Sequence, residues 1–387
     1  MLQPHELRTF RKQLLGWFRQ SQRDLPWRRT KDPYRIWLSE IMLQQTRVAA
    51  VIPYYERFLE RFPDVNALAA APQEEVLRLW SGLGYYSRAR NLQHAAQQIV
   101  VKHGGVFPRD EAEALRLPGV GRYTAAAILS IAYGAKHAVL DGNVARVLAR
   151  IFAVRGDLRA KRWQGLQTQA NALLDPKSPG DWNQAMMELG ATLCTPRAPQ
   201  CLLCPVAQFC RARELGLAES LPAARKKRAT VEITLASAVL LDPGGRTLLL
   251  PPPQSSETHP SQSEVSVLVS KMWHFPTIAV ATNAAAELCG FVAQLLRGLP
   301  KTTPFVLQPV ATVHHAVTYR AITIHAFQVQ VTRLQPVPGT KLVSLSELST
   351  HSSAAISNLT RKIARAAVAK SAATTAAQTE ALSFAQP

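Results

Sequence analysis

The sequence predicts a two-domain protein, a larger all-α domain followed by a smaller α+β domain and a tail. Three observations carry this. The chain has 387 residues, more than one compact domain ordinarily needs. From Leu7 to about Arg213 apolar residues recur at three- and four-residue spacing, and almost nothing alternates with period two. Beyond the basic run Arg225-Lys226-Lys227-Arg228 the composition turns β-rich.

Leu38, Ile41, Met42, Val48, Ile52, Tyr55, Phe58, Leu59 and Phe62 form one helical stripe, which Pro53 is expected to split into two helices. Helices are also predicted over Val76–Trp80, Leu92–Val101, Ala125–Tyr133, Val144–Phe152 and Trp163–Leu174. Turn signals at Pro63-Asp64, Gly104-Gly105 and Pro118-Gly119 separate the helical segments, about ten in all. A basic linker is expected over 214–230. Val231–Leu241, the turn Asp242-Pro243-Gly244-Gly245 and Thr247–Leu250 read as a β-hairpin. Strands at Pro309–Val313 and Ala321–Val331 follow a helical stretch at Ala284–Leu299, and residues 254–264 read as a polar loop. The tail, residues 356–387, reads as a basic helix over Asn358–Lys370 and then a disordered stretch.

Hydrophobic residues make up 47% and charged residues 18%, which excludes a wholly disordered chain. The 45 Lys and Arg against 26 Asp and Glu leave a net charge of +19, which calls for a polyanionic partner. Residues 1–230 hold 34 basic and 19 acidic side chains and residues 231–387 hold 11 and 7, so the footprint belongs mainly to the first domain. No apolar run reaches the roughly 18 residues a membrane helix needs, and the N-terminus lacks the order of a secretory signal. A soluble, intracellular, nucleic-acid-facing protein is expected.

Four of the five cysteines, Cys194, Cys201, Cys204 and Cys210, fall within seventeen residues as C-x6-C-x2-C-x5-C, while Cys289 stands alone. In an intracellular chain such a cluster points to a metal rather than to disulfides. Four sulfurs without histidine suit zinc or an iron–sulfur cluster, and the single short pair favours the latter over zinc.

Leu117-Pro118-Gly119-Val120-Gly121-Arg122-Tyr123 joins two helical patterns through a glycine turn whose amides can approach a phosphate. Alone, such a turn is common. Asp141-Gly142-Asn143 stands directly before the next helical pattern, where an Asp is ordinarily an N-cap. Glu40 reads as an acid in the first turn of a helix, followed by Gln44-Gln45 in a segment otherwise apolar enough for a core.

Together these pieces resemble the helix-hairpin-helix DNA glycosylase superfamily that carries a [4Fe–4S] cluster and, within it, the MutY-type adenine glycosylases. The segments that carry the resemblance are Asp24-Leu25-Pro26-Trp27-Arg28, Trp37 to Thr46, Gly82 to Asn91, the glycine hairpin, Leu140 to Val144 and Asn183 to Gly190. The resemblance implies a glycosylase domain over 1–213, with the helix-hairpin-helix near 113–130 and the cluster loop at 194–210. Residues 231–355 then resemble a Nudix-like lesion-recognition domain.

What the resemblance implies for chemistry is specific. The substrate is duplex DNA carrying adenine opposite 8-oxoguanine or guanine, and the adenine is turned out of the stack. Glu40 acts as general acid, Asp141 stabilises the oxocarbenium ion, and Tyr123 and Asn143 orient the site. Trp27, Arg28 and Gln184 line the adenine pocket, with Leu43, Gln45, Arg47 and Tyr85 at the stack. Gly119 and Gly121 bind backbone phosphate with Arg88, Arg90 and Arg122 nearby. Cys194, Cys201, Cys204 and Cys210 hold the [4Fe–4S] cluster. Relatives that also cut the strand carry a lysine at the position of Tyr123, so a monofunctional enzyme is expected, since a phenol forms no imine. A cytoplasmic, nucleoid-associated monomer of bacterial type without membrane contact is implied.

The second domain departs from the family pattern. Trp273-His274-Phe275-Pro276 resembles its Trp-x-Phe-Pro stretch, but His315-Ala316-Val317-Thr318-Tyr319 stands where His-x-Phe-Ser-His is usual. Thr318 keeps a hydroxyl for the lesion base, while Val317 and Tyr319 replace an aromatic and an imidazole. Residues 284–299 contain Glu287 alone among acids, so no nucleotide hydrolysis is expected. Two other readings stay open at this level: a glycosylase acting on thymine or oxidised pyrimidines, and a non-catalytic iron–sulfur DNA-binding protein.

Overall fold

The computed structural model describes residues 2–158, 161–223, 228–251, 272–281, 283–296, 305–350 and 354–383. The predicted polar loop at 254–264 and the end of the stretch 284–299 lie outside them. The chain forms two units, Met1–Ala71 with Arg90–Lys227, and Pro72–Ala89 with Arg228–Pro387.

The first unit is helical. Its main elements are α1 (Pro4–Ser21), α2 (Pro33–Leu43), α3 (Val48–Arg61), α4 (Val65–Ala70), α6 (Ser87–His103, entered from the second unit), α7 (Glu111–Leu115), α8 (Arg122–Tyr133), α9 (Gly142–Ile151), α10 (Lys161–Leu173), α11 (Pro179–Thr192) and α12 (Arg211–Glu214). Aspartates start four of them: Asp32, Asp64, Asp110 and Asp141 each accept a backbone amide of the first turn. Helix α11 packs against α1, α8 and α9, and α2 packs against α8. Phe10, Trp37, Phe58, Phe62 and Trp182 fill the interior.

The predicted break at Pro53 is not there. Pro53 lies inside α3, and the stripe divides instead at Gln44–Arg47, where Gln45 takes φ +59°. A proline near the start of a helix forfeits a single ladder bond, whereas a left-handed residue ends the helix outright.

The second unit is a mixed six-stranded sheet. Its strands are β1 (Val231–Leu241), β2 (Arg246–Leu249), β3 (Thr277–Ala279), β4 (Gln308–Val317), β5 (Arg320–Gln330) and β6 (Lys341–Ser344), in the order β4-β5-β1-β2-β6 with β3 also on β1. Strands β1 and β5 run parallel in register from Val231↔Arg320 to Leu241↔Gln330. From Leu235 onward β1 is buried residue after residue, as a strand covered on both faces must be. One face packs on α13 (Ala284–Leu296) through Leu288 and Val292. The other packs on α14 (Leu345–Ser349) and α15 (Asn358–Ser383) through Leu348, Leu359 and Ile363. Helix α15 continues well past Lys370, so the predicted early end of the tail helix is corrected; its Ala-rich sequence is a strong helix former.

Residues 72–89, predicted within the glycosylase domain, belong to this second unit. They comprise α5 (Gln73–Trp80) and the turn after it. Ser81 Oγ donates to the Ile356 carbonyl at 2.8 Å, Asn358 Nδ2 to the Gly82 carbonyl at 3.0 Å, and Arg361 Nη2 to Ser81 Oγ at 2.9 Å. Lys341 pairs with Glu74. Helical periodicity carries no signal of such partners.

Candidate active site

A cavity of about 490 Å³ opens in the first unit, within the range of small-ligand sites. Its lining brings together Trp27, Arg28, Glu40, Leu43, Gln45, Tyr123, Asp141, Asn143 and Gln184, all drawn from the residues predicted above.

Glu40 does not sit in a first turn. Asp32 and Pro33 start α2 seven residues earlier, which places Glu40 near the helix's C-terminal end. The partial negative charge there disfavours a carboxylate. Glu40 is 6% exposed. Burial pushes its pKa up to about 7, the Asp141 charge adding to the rise, while a hydrogen bond from Tyr123 and the Arg28 cation oppose it. Tyr123 Oη lies 2.7 Å from Glu40 Oε2, to which it donates, and 3.1 Å from Met187 Sδ. Burial, with Glu40 and Asp141 nearby, holds the Tyr123 phenol neutral, well above its ordinary pKa.

Asp141 both caps a helix and lines the cavity. Its Oδ1 accepts the Val144 amide at 2.7 Å, which makes it the N-cap of α9, and its Oδ2 accepts Asn143 Nδ2 at 3.2 Å while the residue lines the cavity. Burial raises its pKa; bonds from the Val144 and Asn143 amides, the Arg146 charge and the Asn143 side chain pull it back. Arg146 braces the pair from behind, its Nη2 donating to Asn143 Oδ1 at 2.9 Å and to the Gly190 carbonyl at 2.7 Å.

Several supports of the site carry no local signal in the sequence. Glu188 accepts from Arg23 Nη2 at 2.8 Å and from Arg28 Nη2 at 2.7 Å, which fixes the predicted pocket residue Arg28. Burial of Glu188 works against its charge, yet these two guanidiniums hold its pKa down to about 2. Asn183 Oδ1 accepts the Val139 amide at 3.1 Å and its Nδ2 donates to Ser130 Oγ and the His137 carbonyl, tying down the segment that leads to Asp141. Both Asn183 and Glu188 lie in the Asn183–Gly190 stretch, but nothing local announces their partners.

The other predicted contacts are not among the residues that line the cavity. Arg47 is exposed as the N-cap of α3. Gly121 is the N-cap of α8 and provides no side-chain cap to its first amides. Gly119 takes φ +79°, and a Cβ there would stand 2.9 Å from Asn91 Cβ, so only glycine fits this turn. Tyr85 and Thr318 both belong to the second unit and adopt left-handed backbone, φ +48° and +55°. Arg88, also of the second unit, lies over the Tyr85 ring at 5.6 Å.

The four clustered cysteines are free thiols lining one small apolar cavity of the first unit. Arg150 Nη1 donates to Cys194 Sγ at 3.2 Å. Burial raises Cys204 to about 11, and the other three sulfurs add to that rise. Four thiolates here need a cationic centre, and the all-sulfur donor set fits one. Among the described residues no group of three or more His, Cys, Asp or Glu is already drawn to metal-holding geometry.

A helical unit with a glycine hairpin and two acids lining one cavity, Glu40 buried and Asp141 half-buried, is the arrangement of a base-excision DNA glycosylase. Residues 38–168 match the HhH-GPD superfamily of base excision DNA repair proteins. A human adenine DNA glycosylase is 36% identical over 93% of this chain and 74% of its own length. A rat adenine DNA glycosylase is 51% identical over 54% of this chain and 42% of its length. Among solved structures, a thermostable thymine-DNA glycosylase is 31% identical with a TM-score of 0.51, over 55% of this chain and 98% of its own. The chain belongs to the adenine DNA glycosylase family.

Proposed function

We propose that the protein removes adenine mispaired with 8-oxoguanine or guanine from duplex DNA, without cutting the strand. The observation that carries this reading is the Glu40–Tyr123–Asp141 constellation in one cavity. A Glu40 near pKa 7 keeps its proton in about half of the molecules at neutral pH, enough to serve as an acid. Turned into the cavity, adenine takes that proton at N7, and the C1′–N9 bond breaks with its electron pair leaving on the base. Asp141 faces the sugar cation that results. Glu40, now a carboxylate held by the Tyr123 hydroxyl, accepts a proton as water adds to C1′, which restores the acid. The division of labour between two carboxyl groups follows glycoside hydrolysis.

Trp27, Arg28 and Gln184 line the base pocket, and the Arg28–Glu188 pair keeps the guanidinium in place. No lysine lines the cavity among the described residues, and Tyr123 occupies the hairpin position at which an amine would make a Schiff base. Gly119 and Gly121 offer amides to backbone phosphate. Cys194, Cys201, Cys204 and Cys210 would hold a [4Fe–4S] cluster, which would cross-link the 194–210 loop. The second unit is read as Nudix-like and lesion-sensing, with Thr318 at the tip of its β4–β5 hairpin. Its α13 carries Glu287, already engaged with the amides of Ala281 and Asn283, so nucleotide hydrolysis is not proposed there.

Single-turnover excision on duplexes with A, T or an oxidised pyrimidine opposite 8-oxoguanine or guanine tests this, each with and without alkali. Release of adenine alone, with strand breaks only after alkali, is expected. Preference for thymine, or breaks without alkali, would overturn it.

A further inference from the structure

The register Val317↔Arg320 leaves Thr318 and Tyr319 as a two-residue turn between β4 and β5. This tip is pinned to the start of β1, because the Val231 amide donates to the Tyr319 carbonyl at 2.9 Å. The same segment brings Arg228 to the turn. Arg228 Cζ lies 4.4 Å from the centroid of the Tyr319 ring, and Arg320 Cζ lies 4.9 Å from it. Among the described residues neither guanidinium forms an ion pair with a carboxylate. By contrast, Arg246 of the same unit, also on a hairpin, is paired with Asp242 at 2.8 Å. Further along β4, Lys362 Nζ donates to the His314 carbonyl at 2.9 Å, which adds a cation to this edge of the sheet.

Two unneutralised guanidiniums over one ring repel each other, and holding them there costs rotamer entropy. A guanidinium flat on an aromatic nevertheless keeps its N–H edge free for two parallel bonds to a phosphate. The ring itself is already engaged by cations and is a poor platform for a base. We propose that Arg228, Tyr319 and Arg320 form a phosphate clamp that holds a DNA strand through its phosphodiester groups, at the hairpin where Tyr319 replaces the imidazole of the family pattern. The clamp rests on the DNA-glycosylase reading above and adds to it a sequence-independent grip from the second unit.

The test measures binding of the full chain to duplexes carrying a non-hydrolysable adenine nucleotide opposite 8-oxoguanine or guanine, across a salt titration. R228A and R320A should each weaken binding about three- to tenfold, by the same factor on both duplexes, and lower the salt slope by about one. Y319F keeps the ring and should bind as wild type, whereas Y319A should lose about as much as one arginine. R228K and R320K, which preserve charge and folding, should keep the slope and lose a smaller part of the affinity. Loss confined to the 8-oxoguanine duplex, loss in Y319F, or unchanged affinity and slope in R228A and R320A overturns the clamp while leaving the glycosylase reading intact. Failure of the wild type to bind either duplex overturns both.

Discussion

Tyr123 Oη lies 2.7 Å from Glu40 Oε2, although the two residues are 83 positions apart in the chain. The bond spans α8 and α2 and joins the residue after the glycine hairpin to the acid of the cavity. It favours the ionised carboxylate, whereas burial and Asp141 favour the neutral acid. The balance near pH 7 is therefore set by opposing groups, and each can be removed singly.

Tyr123→Phe removes the one hydrogen bond that lowers the Glu40 pKa. That pKa should rise, since a bond to a charged group is worth about 1.5–3 kcal/mol and one pKa unit is about 1.4 kcal/mol. The alkaline limb of the single-turnover pH profile should move up by about one unit. A limb that moves down, or stays in place, contradicts the assignment of this bond.

Glu40→Gln should slow excision by about 10²–10⁴-fold, the usual share of a general acid. It should also stabilise the fold at alkaline pH. Glu40 is raised from 4.5 to about 7, so the folded state holds a proton that the unfolded chain has lost between those values. Wild-type stability consequently falls as pH climbs through that window, by up to about 3 kcal/mol, and the Gln variant is spared the fall. Urea denaturation at pH 5 and pH 8 reads the difference: the gain should be clear at pH 8 and smaller at pH 5.

Much of this site is legible in the sequence because its residues announce themselves locally. Asp141 stands before a helix and caps it, and the cysteines cluster within seventeen residues. What escapes is long-range pairing. The Arg28–Glu188 ion pair joins residues 160 positions apart, and Ser81 meets Ile356 from 275 positions away; no periodicity encodes either partner. Glu40 lies near the end of its helix rather than in the expected first turn for a related reason. Apolar spacing marks which face of α2 is buried, whereas Asp32 and Pro33 mark where it starts, and only the latter locate Glu40 near its end.

Gly190→Ala should damage catalysis through backbone position. A Cβ at Gly190 would stand 2.8 Å from Asn143 Cβ and 3.1 Å from the Asn143 carbonyl carbon and oxygen. Backbone cannot yield as a flexible side chain can, so α11 and the start of α9 must move apart, at about 1–3 kcal/mol. Asp141 and Asn143 move with α9. The single-turnover rate should drop more than tenfold while affinity for a non-hydrolysable duplex changes little. Weakened binding with an unchanged rate would contradict this account.

Arg150 is 2% exposed and serves four acceptors. Its Nε donates to the Leu221 carbonyl at 2.8 Å, its Nη1 to Cys194 Sγ at 3.2 Å and to the Thr195 carbonyl at 2.7 Å, and its Nη2 to the Pro196 carbonyl at 3.3 Å. Arg150→Met keeps most of the volume and leaves all four without this donor. A buried acceptor stripped of its donor costs about 1–3 kcal/mol, so a loss of roughly 3–5 kcal/mol is expected in chemical denaturation. Arg150→Lys retains the charge, but a compact ammonium cannot span four acceptors, and it should recover only part of the loss. Because one of the four is a cysteine sulfur, protein loaded with the proposed iron–sulfur cluster gives a second readout: its visible absorbance should bleach faster under a chelator in both variants. Equal bleaching in wild type and Arg150→Met would confine Arg150 to holding the 195–221 backbone.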